Sequence, residues 1–155
     1  MITKENKSVK PIPDGFHTVT PFLLADNAAE LIEFIKKAFD GKIRYMMKSD
    51  DGVVRHAEVK VGTSIIMVSN GTELYKSMPC MLHLYVEDVD AVYNKAVKAG
   101  GESLREPTNE FYGDRSAGVK DKWGNQWWIA THIEDVDAEE MKKREEEFRK
   151  EKGME

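Results

Sequence analysis

The chain is poor in several things, and each shortage narrows what it can be. Cys80 is the only cysteine among 155 residues, so no disulfide within the chain staples the fold. No stretch approaches the ~18 apolar residues that a membrane-crossing helix needs, which excludes a protein that spans a bilayer by helices. Residues 1–10 carry charge but no apolar stretch, so no secretory signal is expected, and a cytoplasmic location is. Basic charge is scarce as well. Lys and Arg number 23 against 28 Asp and Glu, a net charge of −5. Residues 134–155 hold ten acidic and six basic side chains and account for −4 of it, leaving −1 on the body. A near-neutral body has no basic field for a phosphate backbone, which argues against nucleic acid as a partner.

What is present is patterning. Residues 1–15, with Pro11, Pro13 and Gly15, read as an extended lead-in. Residues 16–25 suit a buried strand with an irregularity at Pro21. Asn27 with Glu30 looks like a helix-capping box. The apolar positions 28, 31, 32, 35 and 39 make one helical stripe, which Gly41 ends. Strand-like runs follow at 43–47, 53–61 and 63–69, turning at Asp51-Gly52 and Gly62. The order then restarts. Residues 81–86 suit a strand, and a helix follows Asp88 with its stripe on 89, 92, 93, 96 and 97. Further strands are predicted at 103–106, 116–121 and 126–131. A last, charged helix occupies 134–155, capped by Asp137 with Glu140.

Two β-α-β-β-β halves in one short chain indicate an internal repeat. Asp26 and Asp88 are 62 residues apart, as are Gly62 and Gly124, and that offset sets Ile65-Ile-Met67 on Trp127-Trp-Ile129. The predicted class is therefore α+β: two βαβββ modules, over 16–70 and 80–133, with a C-terminal helix.

Several motifs in order carry a resemblance: Thr18-Val-Thr-Pro-Phe22, His56-Ala-Glu58, His83-Leu-Tyr-Val-Glu-Asp-Val-Asp90, Gly113-Asp-Arg-Ser116, Asp121 with Gly124-Asn125, and Trp127-Trp-Ile-Ala-Thr-His132. Together they resemble the vicinal oxygen chelate superfamily of glyoxalases, bleomycin-resistance proteins and dioxygenases, and within it the PhnB-like branch. The resemblance implies a cupped sheet closing around a cavity, which a homodimer often completes. It also implies a divalent metal on the first and last strands of each module. As the resemblance places them, the ligand positions lie about seven residues before the corner Asp and about four after the hairpin Gly. Here those positions are Val19, Met81, Ile66 and Trp128, all apolar. No single shift of register brings in both His17 and His83, and the same-face neighbours Ser64, Val68, Gln126 and Ala130 include no carboxylate.

The expectation is accordingly a metal-free protein, without a cofactor, that binds a small organic ligand in an aromatic-lined cavity as a homodimer. Its predicted ligand-binding residues are His17, Val19, Ile66, Met81, His83, Tyr85, Arg115, Gln126 and Trp128. Trp128, at a metal-carboxylate position, suits stacking on a flat ligand. Should the chain be a catalyst, His83 is the first candidate for a general base, because imidazole titrates near neutrality. Arg115 suits a carboxylate or phosphate, or else an ion pair with Asp114 or across a dimer. His56-Ala-Glu58 with Pro79-Cys80 and His83 mimics a zinc-deaminase pattern, but it falls on a strand where that chemistry wants a helix. The alternatives are a metal-dependent glyoxalase-like lyase or dioxygenase using His17, His83 and Gln126, and a scaffold acting through its last helix.

Overall fold

Two hydrophobic periods govern the chain, and each reappears as an element. A computed structural model describes residues 8–154; the start of the predicted lead-in lies outside the described residues. The first module runs β1 (Phe22–Ala25), α1 (Ala28–Phe39), β2 (Lys42–Lys48), β3 (Val54–Val61) and β4 (Ser64–Asn70). The second runs β5 (Met81–Tyr85), α2 (Val89–Lys98), β6 (Glu102–Asn109), β7 (Asp114–Lys120) and β8 (Gln126–His132), and α3 (Ala138–Lys152) follows. The sheet orders match: β1-β4-β3-β2 in one and β5-β8-β7-β6 in the other. In both, the first strand lies parallel to the last and the remaining pairs are antiparallel. This is the predicted α+β pair of βαβββ modules.

Three local expectations are corrected. The strand predicted over 16–25 begins only at Phe22, because Pro21 has no N–H for the ladder; its carbonyl still accepts from the Met67 amide at 2.9 Å. Asn27 is left-handed, with φ 58°, and its side chain caps nothing. The open amide of Ala28 is taken instead by the Asn70 side chain, at 3.1 Å, from the end of β4. Asp88 does cap α2, accepting from the Ala91 amide at 3.0 Å. Finally β6 runs past its predicted end, through Pro107, which an edge strand with an irregular register tolerates.

Helix α1 buries its whole stripe, while α2 buries Val89 and Ala96, half-buries Val92 and Tyr93 and leaves Val97 exposed, a correction to its predicted stripe. Leu31, Ile32, Ile35 and Phe39 of α1 meet Leu23, Val59, Ile66 and Val68 in one cluster that also takes in Val89, Ala96, Val119, Trp127 and Ile129. Phe39 reaches across to Trp127, ring centroids 4.7 Å apart. The modules meet through α1 on α2, and Lys95 pairs with Asp40 at 2.6 Å. The helices therefore lie on the inner side, and each sheet turns its other face outward. Among the described residues the modules meet through these helices, and the two sheets do not close on one another.

Candidate outer-face site

On the outer face of the second sheet, strand register sets four residues in a row. His83 on β5 pairs with Trp128 on β8, Trp128 with Gly118 on β7, and Gly118 with Arg105 on β6. Alternation explains the choice of face: Trp127 and Ile129 point to the core, so Gln126, Trp128 and Ala130 point away from it. Trp128 lies flat on the sheet because Gly118 has no side chain. A Cβ there would stand 2.8 Å from Cζ3 of the indole. The Arg105 guanidinium carbon is 5.0 Å from the Trp128 ring centroid, and its Nη2 pairs with Glu110 at 2.8 Å. The indole N–H donates to Gln126 Oε1 at 3.2 Å.

Beyond that row lies a chain of polar groups. Asp114, only 4% exposed, accepts from the Tyr85 hydroxyl at 2.9 Å and faces His132 Nδ1 at 2.8 Å. His132 Nε2 faces Asp135 at 2.7 Å. With a carboxylate at each ring nitrogen, only the doubly protonated imidazolium donates to both. These partners, Asp135 first and Asp114 second, raise the His132 pKa above its ordinary value. Hydrogen bonding to Asp114 likewise raises that of Tyr85 and leaves its hydroxyl protonated. His83 packs edge-on against Tyr85, centroids 5.0 Å apart.

The first sheet has an equivalent row: Tyr45 on β2, Glu58 on β3, Met67 on β4 and Phe22 on β1, each paired with the next. His56 is two residues along from Glu58, its ring 6.0 Å from Phe22 and 6.3 Å from Tyr45.

The predicted site residues divide between places. Met81, His83, Tyr85, Gln126 and Trp128 all occupy the outer face of the second module. His17 lies ahead of β1, its Nε2 3.3 Å from the Thr63 carbonyl. Val19 also precedes β1 and is 83% exposed. Ile66 points inward and is buried in the core cluster. Arg115 is on the helix side of β7, where Asp90 takes its Nε at 2.7 Å and its Nη2 at 2.9 Å, and Asn109 takes Nη1. Its partner is thus Asp90 rather than Asp114. Arg105, Glu110, Asp114, Met67 and Glu58 are outer-face residues that the sequence reading did not select. Their signal was pairing between strands, which alternation along a single strand does not give.

The donor set does not fit a divalent ion. His83 and Gln126 are the metal-binding types on the first and last strands of module two, with Met81, Tyr85 and Trp128 beside them. His17 lies ahead of β1 with its Nε2 at the Thr63 carbonyl, and among the described residues no group of three His, Cys, Asp or Glu is placed to hold a metal ion.

Comparison with known proteins agrees with this geometry. The sequence pattern of the Glyoxalase/Bleomycin resistance protein/Dioxygenase superfamily matches residues 15–129. An uncharacterized protein of Mycobacterium bovis, Mb0911c, is 29% identical over 134 residues, covering 79% of this chain and 88% of that protein. TioX from Micromonospora sp. ML1 superposes with a TM-score of 0.64 at 20% identity, over 74% of this chain and 99% of its own. A Bacillus cereus structure described as a putative 3-demethylubiquinone-9 3-methyltransferase, PhnB protein, gives 0.61 at 21% identity, over 74% and 99%. At these identities the structural likenesses show the fold.

Proposed function

The chain belongs to the glyoxalase/bleomycin resistance protein/dioxygenase superfamily, and on that premise we propose that it is a binding protein for a small organic ligand. The ligand lies on the outer faces of the sheets with no resident metal, and two copies pair to enclose it. A cytoplasmic setting suits a chain whose one thiol is in no disulfide.

The observation that carries this reading is the open aromatic and thioether surface on both outer faces. Met81 and Tyr85 are each 67% exposed, and Phe22, Tyr45 and Met47 about half exposed. Such side chains gathered on one face mark an interaction surface. Trp128 gives it a flat platform, and Gln126 keeps its amide N–H groups free because its oxygen accepts from the indole. A metal-dependent lyase or dioxygenase is the weaker reading, since His17 lies ahead of β1 with its Nε2 at the Thr63 carbonyl, and His83 and Gln126 alone leave an ion short of protein ligands.

The test is ligand titration followed by tryptophan fluorescence, with wild type and Trp128→Phe compared. A saturable change with a flat aromatic compound in the wild type, lost in the variant, is expected. Silence across a chemically diverse aromatic library would overturn the reading, and stoichiometric iron, nickel, manganese or zinc in protein purified without chelators would restore the enzyme.

A further inference from the structure

The two outer-face rows correspond strand for strand, and they differ most at one position. Tyr45, Glu58, Met67 and Phe22 in the first module answer to Arg105, Gly118, Trp128 and His83 in the second. Where the second module has a glycine, the first has a carboxylate. The Glu58 side chain is only 18% exposed, with Tyr45 and Met67 as its neighbours across the sheet. Among the described residues, no hydrogen bond reaches it. Arg44 Nε pairs with it at 3.8 Å and His56 Nε2 lies at 3.9 Å, both longer than a hydrogen bond. Arg44 is also drawn towards the Phe16 ring, 5.1 Å from its centroid. The carboxylate, 18% exposed and without a hydrogen bond from the protein, is open to a donor carried by a ligand.

We propose that Glu58 anchors and selects the ligand, accepting a hydrogen bond from an N–H or O–H carried on an aromatic ring. The inference rests on the ligand-binding reading above and deepens it. The donor follows from the carboxylate, which only accepts and has no hydrogen bond from the described residues. The aromatic carrier follows from the walls, with Phe22 and Tyr45 on either side of His56 and Met67 next to the carboxylate.

The test uses two probes of one shape, 2-naphthol with a donor and 2-methoxynaphthalene without. Their affinities are measured by equilibrium dialysis for wild type, Glu58→Gln and Glu58→Met, with folding checked by circular dichroism. In the wild type 2-naphthol is expected to bind about tenfold or more tightly, the range of a charge-assisted hydrogen bond. That advantage shrinks in Glu58→Gln, which keeps an acceptor but no charge, and falls to within about twofold in Glu58→Met. Should the methionine variant fail to fold, the glutamine variant decides. Equal binding of both probes by the wild type would overturn the role of Glu58 and leave ligand binding intact, as would an advantage that survives both substitutions. Binding of neither probe would overturn both readings together.

Discussion

Asp121 illustrates how much one buried side chain organises. It is 3% exposed, and its two oxygens accept from four groups: the amides of Trp123 and Asn125, the Asn125 side chain and the Trp127 indole. Asn125 then passes the order on, taking the Cys80 amide at 3.0 Å. A carboxylate out of water is tolerable only when its lone pairs are filled in this way. Asp121→Asn replaces one acceptor oxygen with an N–H₂ that would face other donors. Urea unfolding should show a loss on the order of 3 kcal/mol; a loss under about 0.5 kcal/mol would mean the network is decorative. The same burial, with Asp121 adding to it, raises the pKa of the Cys80 thiol and makes it a poor nucleophile.

Among the elements, order and type were legible because the two hydrophobic periods are clean, while register was not. The offset of 62 residues read from Asp26 and Asp88 holds at that corner but not along the strands. Structural partners Met67 and Trp128 are 61 apart, and Glu58 and Gly118 are 60 apart. The β7–β8 turn is one residue longer than its counterpart, since five residues separate paired Lys120 and Gln126 but four separate Lys60 and Ile65. A one-residue slip turns every side chain to the other face. That is why Ile66, rather than Met67, was set against Trp128. The cap on α1 was equally hidden, because Asn70 is 42 residues from the amide it serves. Similar long-range ties join the tail to β7 and β8, where His132 bridges Asp114 and Asp135. Its raised pKa fixes the sign of a pH effect. The imidazolium contributes stability in full below the unfolded value near 6.5 and loses it as pH rises through the higher folded value. Denaturation midpoints should therefore fall in wild type between about pH 6 and pH 9 by more than in His132→Gln. Parallel curves would remove the bridge from the account.

At the scale of the whole molecule, the fold places α1 and α2 inside and turns a face of each sheet outside, so the surface most in need of cover belongs to neither module alone. The tail does not supply that cover. No residue of α3 is buried; the helix is held by Phe148 on Phe111, ring centroids 5.1 Å apart, and by Arg144 gripping Glu134 with two nitrogens. In the pairing proposed above, a second copy rotated by a two-fold axis would present its first module to the second module of its partner, and such a pairing would be closed and self-complementary. The internal repeat favours this match, because equivalent rows then oppose one another across the ligand. Charge tests the idea with little risk to the fold. Met81 is 67% exposed in the single chain, so Met81→Glu should change the stability of that chain by no more than about 0.5 kcal/mol. At a paired face, however, the new carboxylate would be buried without a partner, a cost of several kcal/mol counted once for each of two copies. Light scattering should give twice the chain's mass for wild type and the single-chain mass for the variant at micromolar concentration. A wild type that stays at the single-chain mass, or a variant that still pairs, would show that these outer faces are not the surfaces that meet.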